Sequence, residues 1–256
     1  MNVQNQYISS LAKSDRRLDG RKLDEIRKIK ITKNPYEQPE GSAIVEIGDT
    51  KVLVGVKLGV GVPFPDTPKE GVLMVNAELS PVAHENFELG PPREEAIELA
   101  RVVDRGIRES KCIDVEKLCI KEGELVWMVF VDIQPLSHYG NLIDAAGIAA
   151  ITALANAKLP KLVEDKVAFG EKTSKSLPLK SIPIPVTFAH INGKMAADPS
   201  YSEEQAMIGR LTVTTDEKGN VCALQKGGPS GLTMENIEYA LETSVKIGKE
   251  IRKLMK

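Results

Sequence analysis

Apolar and β-branched residues recur in short runs through the first half of the chain and predict strands there. Four such runs cover residues 26–32, 42–47, 51–59 and 72–79. Their length and composition are typical of strands in a packed sheet. Gly48-Asp49, between the second run and the third, predicts a two-residue hairpin turn. The most continuous apolar run, residues 125–133, predicts a buried central strand.

Apolar positions at helical spacing predict three main helices. The first covers residues 92–111, with Pro92 at its start and two glutamates in its first turn, where the helix dipole favours them. An alanine-rich helix over residues 142–157 follows the central strand. Thr233 is expected to cap a last helix over residues 234–255. Residues 6–12 form a weaker amphipathic segment near the N-terminus.

A second β unit follows a charged segment over residues 162–179, which we expect to be mobile. Strands are predicted at residues 182–191, 211–215 and 221–226, and Asn192-Gly193 is typical of a type I′ turn. The pattern as a whole predicts the α+β class. It favours two units, each a sheet with helices on one side. The expected division is a docking arm at 1–25, one subdomain at 26–165 and another at 180–256.

Composition and charge narrow the classes of function. Lys and Arg number 34 and Asp and Glu 36, a net charge of −2, so any binding of nucleic acid requires a local basic patch. The three cysteines have neither pairing nor metal spacing, which indicates reduced thiols in the cytoplasm. We expect no signal peptide, no membrane span and a cytoplasmic location.

Three arginines on the first main helix form one candidate site. Arg101, Arg105 and Arg108 follow at i, i+4 and i+7, on the face opposite the apolar positions. Three guanidinium groups in one stripe can bind a phosphodiester backbone. The alternative is that Glu98 and Asp104 pair with these arginines on a solvated helix face.

A loop with three carboxylates forms a second candidate site. Asp198, Glu203 and Glu204 can hold Mg²⁺ or act in acid–base chemistry. The alternative, which we favour from the residues alone, is a capping box over residues 202–205.

The turn after the central strand raises a third possibility. Residues 137–141 (SHYGN) join a strand to a small-residue helix, an arrangement in which helix N–H groups often bind phosphate. Whether this turn can bind phosphate depends on whether it also carries a cationic side chain.

Four sequence blocks, in their order and spacing, resemble the RNase PH family, and most closely its non-catalytic ring subunits from the archaeal exosome. The blocks are RLDGR at 17–21, ARVVDR at 100–105, YGNLIDAA at 139–146 and DPSYSEE at 198–204. The resemblance implies an RNase PH-like fold (ribosomal protein S5 domain 2-like) with two β-sheet/helix subdomains. It also implies a part in phosphorolytic 3′→5′ RNA degradation.

Departures from the family pattern indicate a member that is not itself an enzyme. Catalytic members carry Asp-Gly-Gly-Thr-Arg in the turn, where this chain has residues 139–143, so Ile143 stands in place of the arginine. They also place two aspartates six residues apart where this chain has Asp198 and Glu204. An apolar side chain cannot replace the charge-assisted hydrogen bonds of a guanidinium. We therefore interpret Asp198, Glu204 and Ile143 as vestigial active-site positions.

The resemblance further implies partners and a role for the arginines. The partners would be a catalytic RNase PH-type sister, with three heterodimers in a hexameric ring, S1/KH-type cap subunits and single-stranded RNA. Arg101 and Arg105, and less strongly Arg108, would bind RNA near the sister's active site. We expect no cofactor and no metal. The alternatives are an active phosphate-dependent exoribonuclease using Asp198 and Glu204, and a carboxylate-dependent metal hydrolase.

Overall fold

Two β-sheets share one central helix in the computed structural model, which describes residues 3–255 apart from the side chain at position 169. Its α-helices are α1 (Val3–Lys13), α2 (Glu94–Glu109), α3 (Leu142–Asn156), α4 (Tyr201–Ala206) and α5 (Met234–Leu254). Its strands are β1 (Ile29–Lys33), β2 (Gly41–Ile47), β3 (Thr50–Gly61), β4 (Val72–Ala77), β5 (Cys119–Lys121), β6 (Leu125–Ser137), β7 (Lys158–Val163), β8 (Lys166–Ser176), β9 (Ile184–Ile191), β10 (Lys194–Ala197), β11 (Gly209–Thr215) and β12 (Val221–Gly227).

The first sheet has the order β1-β2-β3-β6-β4, with β5 also paired to β6. The predicted hairpin at Gly48-Asp49 is confirmed, since Ile47 pairs with Thr50 across it. Alternate residues of β3 are buried, among them Val52, Val54 and Val56, and this face packs on α3. The period-two pattern therefore decides which face of this sheet is covered.

Helix α3 lies between the two sheets and is buried all round, from Ile143 to Leu154. It contacts β2 and β3 on one side and β9 on the other. Small residues make this possible because bulky side chains would hold the layers apart. A Cβ on Gly147 would lie 2.5 Å from the Pro185 ring. At this contact α3 and β9 are therefore too close for a residue with a side chain.

The second sheet has the order β10-β9-β11-β12 and carries helices on both faces. Thr187 of β9 contacts α3, while the neighbouring Phe188 packs against Tyr239 of α5. The expectation of helices on one side only is therefore wrong for this sheet. The type I′ turn is confirmed by φ angles of 48° at Asn192 and 81° at Gly193. Thr233 caps α5 as predicted, accepting a hydrogen bond from the Asn236 N–H.

The segment over residues 162–179, for which the sequence predicted no regular structure, belongs largely to a hairpin of β7 and β8. Its turn residues Glu164 and Asp165 have φ angles of 49° and 63°. Left-handed positions of this kind usually carry Gly or Asn, which is why the sequence pattern did not reveal the turn. The hairpin runs across the expected subdomain limit at residue 165.

Helix α1 docks on this chain's own second unit. Ile8 and Ala12 are buried against Ala189, Ile191 and Ala206. Residues 1–2 of the predicted arm, and the last residue of the second predicted subdomain, lie outside the described residues. No helix in the described range is both long and apolar enough to cross a membrane.

Candidate functional site

Asp198 lies at the centre of a buried polar cluster between the two units. Its carboxylate accepts from Arg27 Nη2 at 2.6 Å, Arg27 Nε at 2.8 Å, Arg21 Nη1 at 2.9 Å and Asn141 Nδ2 at 2.8 Å. Burial raises the pKa of Asp198, but the hydrogen bonds and charge of Arg27 outweigh it and hold the pKa below its usual range. Both carboxylate oxygens are therefore occupied by donors of the chain itself.

The turn before α3 is built around Gly140 and Asn141. Gly140 has φ 96°, and a Cβ there would lie 2.4 Å from the backbone of Ser200 and Tyr201. Asn141 caps α3 in the left-handed conformation (φ 58°), and its Nδ2 also reaches Asp144 Oδ2 at 2.7 Å. The turn is thereby packed directly against the carboxylate loop.

Glu204 occupies the N-terminus of α3. The Asn141 N–H donates to Glu204 Oε1 at 2.7 Å, in the position where an N–H group of a phosphate-binding turn would meet its ligand. Burial raises the pKa of Glu204 to about 7, although the Asn141 N–H and the charges of Arg210 and Arg27 lower it. The Glu204 side chain thus occupies the position in which the N-terminus of α3 would otherwise bind an anion.

Asp144 joins the start of α3 to the second sheet. It accepts from the Thr187 N–H at 2.9 Å and from Thr187 Oγ1 at 2.7 Å. Complete burial raises the pKa of Asp144 to about 7, against the lowering effect of hydrogen bonds from Asn141 and Thr187. This contact fixes α3 against β9.

Glu203 and Arg17 form a second buried pair in the same cluster. Arg17 Nη2 lies 2.6 Å from Glu203 Oε2, with side chains only 1% and 4% exposed. Glu203 also accepts from the Ser200 N–H at 2.8 Å, so the capping box starts at Ser200. The predicted box over residues 202–205 is therefore wrong by two residues.

A cleft of ≈ 460 Å³ opens beside this cluster. His84, Phe87, His138 and Tyr201 line one part of it, and Ile143 also lines it, 8% exposed. Arg210 is the only Lys or Arg among the described lining residues, and its Nη2 lies 2.5 Å from Glu98 Oε1. The one Lys or Arg among the described lining residues is therefore paired through Nη2, while its buried Nε has no hydrogen-bond partner.

His138 stays uncharged at neutral pH. Burial, with the charges of His84 and Arg27, lowers the pKa of His138 to about 4. The Gly140 N–H donates to its Nδ1 at 3.3 Å, so the neutral ring carries its proton on Nε2, 3.8 Å from Glu204 Oε2. Its imidazole therefore supplies no positive charge for a phosphate.

The three arginines of α2 differ in their surroundings. Arg101 is exposed and has no hydrogen bond or ion pair with the described residues, whereas Arg105 Nη1 bonds the neutral Gln225 at 3.0 Å. Arg108 pairs with Asp104 at 2.7 Å, as the alternative interpretation predicts for that position. Glu98 pairs across the cleft with Arg210 rather than with Arg101. The free positive charge of the stripe is therefore at Arg101 and Arg105.

Several residues of the polar cluster escaped prediction from the sequence. Arg27 and Arg210 gave no local signal. Arg17, Arg21 and Asp144 entered only through the family blocks, and Asn141 through the turn at 137–141 as well. Arg27 and Asp198 are 171 positions apart. Only the folded chain brings such residues together.

This α+β fold, with a cleft at the start of the helix that its two sheets share, is that of a known class of 3′ exoribonucleases. The models of the 3′ exoribonuclease family match residues 25–160 with domain 1 and residues 181–247 with domain 2. The chain belongs to the RNase PH family of 3′ exoribonucleases. The predicted family and fold class are thus confirmed.

Similar proteins cover almost the whole chain. The exosome complex component Rrp42 of Thermococcus kodakarensis is 49% identical, over 98% of this chain and 93% of that protein. Its counterpart in Thermoplasma acidophilum is 47% identical, over 98% and 94%. A chain of the Archaeoglobus fulgidus exosome with RNA bound to the active site is 46% identical, covers 99% of this chain and 98% of its own, and has a TM-score of 0.91.

Proposed function

We propose that this chain is a non-catalytic ring subunit of an RNA-degrading exosome. It pairs with a catalytic RNase PH-type sister, helps to shape the sister's active site and binds RNA. Near-full-length similarity to exosome components supports the assignment to this complex. The arrangement around α3 supports the lack of catalysis.

The observation that carries this proposal is Glu204 at the N-terminus of α3, bonded to the Asn141 N–H at 2.7 Å. Phosphorolysis requires a phosphate held by donors and cations, since positioning and charge stabilisation supply most of phosphoryl-transfer catalysis. Here the N–H has an internal acceptor, Arg210 is paired with Glu98, and Ile143 contributes an apolar wall. A phosphate dianion entering this cleft loses its hydration without gaining a cation.

The proposed assembly is a hexameric ring of three heterodimers in the cytoplasm, capped by S1/KH-type subunits. Single-stranded RNA is bound in part by Arg101 and Arg105. The exposure of Arg101 and the neutral partner of Arg105 support this role, because both guanidinium charges remain available to phosphates. Arg108 contributes less, since Asp104 offsets its charge.

One assay tests the proposal: RNA turnover by the purified chain alone and with its catalytic sister, each with and without inorganic phosphate. We expect no nucleoside diphosphate from the chain alone and phosphate-dependent release from the pair. Nucleoside diphosphate release by the chain alone, abolished by Asp198→Asn, would instead establish an active exoribonuclease. Turnover by the chain alone that requires a divalent ion and no phosphate would establish a metal hydrolase.

The arginine variants need a control for folding and assembly. Glu242→Gln, an exposed change on α5 outside the cleft lining, should behave as the parent in assembly with the sister. Arg101→Glu combined with Arg105→Glu should keep the ring intact and weaken RNA binding. An unchanged RNA affinity in that double variant would remove the role assigned to the arginines.

A further inference from the structure

The wall of the cleft is an aromatic surface. His84 contacts Phe87, His138 and Tyr201 with ring centroids 5.5, 5.3 and 4.7 Å apart. Phe87 stacks on His138 at 5.5 Å and 12°, and Tyr201 meets His138 edge-on at 5.2 Å. The four rings thus form one continuous patch beside the carboxyl group of Glu204. Within this patch, Phe87 and Tyr201 are the rings whose faces attract cations.

The charged groups beside the ring patch that have no ionic partner are carboxyl groups. Glu98 and Arg210 cancel each other as an ion pair. Glu95 also lines the cleft, is exposed and has no hydrogen bond or ion pair with the described residues. Glu204 adds a second carboxyl group, and the neutral ring of His138 adds no opposing charge. An entering cation therefore meets two carboxyl groups and no unpaired cation among the described lining residues.

We propose that this cleft is a binding site for an organic cation, an alkylammonium or alkylguanidinium group. The group would lie against the ring patch with its N–H donors directed at Glu204 and Glu95. A volume of ≈ 460 Å³ lies within the range of sites for small organic molecules. A phosphate or a nucleotide is disfavoured by the same carboxyl groups, and a neutral ligand forms weaker hydrogen bonds with them than a cation does.

The same chemistry has two sources. One is a free amine or guanidine of low molecular weight. The other is a lysine or arginine side chain of a partner protein that inserts into the cleft on assembly. Both present a compact cation on an apolar stem, and the ring patch with its carboxyl groups suits both. The experiment below separates the two.

Butylguanidine is the probe, and butylurea is its neutral isostere. Binding to the full chain is followed by NMR through the ring signals of His84 and His138, with calorimetry for the dissociation constant. We expect saturable binding of butylguanidine at least about tenfold tighter than that of butylurea, a difference of about 1.4 kcal/mol. Inorganic phosphate should leave the ring signals unmoved.

Two variants assign the binding to the cleft. Glu204→Gln keeps an acceptor for the Asn141 N–H and should weaken butylguanidine binding about tenfold. Phe87→Leu removes one ring and should weaken it severalfold, whereas Glu242→Gln on α5 should leave it unchanged. Equal binding of butylguanidine and butylurea, or binding that ignores Glu204→Gln and Phe87→Leu, would overturn the proposal. So would the absence of any saturable shift.

Addition of the catalytic sister identifies the source. If a basic side chain of the partner fills the cleft, assembly shifts the ring signals and abolishes the response to butylguanidine. If a free amine is the ligand, the response persists in the assembled pair. Phosphate binding at these rings would contradict the proposed function, while failure of butylguanidine alone would contradict only the cation site.

Discussion

The polar cluster around Asp198 and the arginine stripe of α2 use the same kinds of side chain in opposite ways. In the cluster, Arg17, Arg21 and Arg27 are largely buried, and each bonds a carboxylate of the chain itself. In the stripe, Arg101 is exposed without such a partner and Arg105 has only a neutral one. The first arrangement holds the two units together, whereas the second leaves positive charge available to another molecule.

This contrast supports the proposal that the site of this chain stabilises the fold rather than catalysing a reaction. The guanidinium groups of Arg17 and Arg27 donate to carboxylates and backbone carbonyls of the chain itself, which leaves them little capacity for phosphate. Removing one member of such a buried pair costs far more than removing an exposed charge. The cluster is therefore best tested by stability, and the stripe by RNA binding.

The largest expected effect concerns the cluster. Arg17→Ala leaves Glu203 buried without its closest cation and should lower the free energy of unfolding by about 3–5 kcal/mol. Urea unfolding measures this directly. Arg16→Ala, at the exposed neighbouring position, is the matched control and should change stability by no more than about 0.5 kcal/mol. Similar losses for both would show that the burial of Arg17 is unimportant.

The second largest expected effect is the pH dependence that Glu204 gives to the free energy of unfolding. Because its pKa is raised to about 7 in the folded chain, the folded state binds a proton that the unfolded state releases near its ordinary value. Stability from this group is therefore greatest at low pH and falls as pH rises towards 7, by up to about 1.4 kcal/mol per pH unit.

Glu204→Gln removes that titration. The stability of the parent relative to this variant should decline between pH 4.5 and 7 in urea unfolding at one-unit steps. His138, whose pKa is lowered to about 4, changes stability in the opposite sense between about pH 4 and 6.5, so the comparison must be made against the variant. A difference that does not vary with pH would contradict the raised pKa.

A third, moderate effect concerns the stripe. Arg101→Glu with Arg105→Glu should weaken single-stranded RNA binding by the assembled pair at least about tenfold, or about 1.4 kcal/mol. The slope of log affinity against log salt should fall by about 0.7 for each RNA phosphate that the variant no longer binds. The free energy of unfolding should hardly change, since neither side chain is buried. A large loss of stability with unchanged RNA binding would show that the stripe stabilises the fold and does not bind RNA.

The smallest effect is expected at Arg108. Its pair with Asp104 is an i,i+4 contact with the arginine about half exposed, and its Nη2 also donates to the Leu73 carbonyl at 3.2 Å, so Arg108→Ala should cost about 1 kcal/mol of stability. RNA affinity should fall less than it does for Arg101→Ala, because Asp104 already offsets the charge. Filter binding of the two single variants compares them. An equal loss at both positions would show that Asp104 does not shield Arg108.

The sequence alone determined the local elements, because these follow from residue spacing and from turn and cap chemistry. The hairpin at Gly48-Asp49, the turn at Asn192-Gly193 and the Thr233 cap each depend on a few adjacent residues. The spacing of the arginine stripe was likewise predicted without a structure. That Ile143 stands where catalytic family members carry an arginine stays a prediction from the resemblance.

Only the tertiary structure decided which charges meet. Glu98 pairs with Arg210, 112 positions away, rather than with Arg101 one turn along the same helix. Glu204 reaches the start of α3 only because the start of α4, the helix that carries it, packs on the turn at Gly140. A periodic pattern specifies which face of an element is buried. Pairing between distant ionic groups depends instead on how the two sheets close around α3, and no local pattern encodes that.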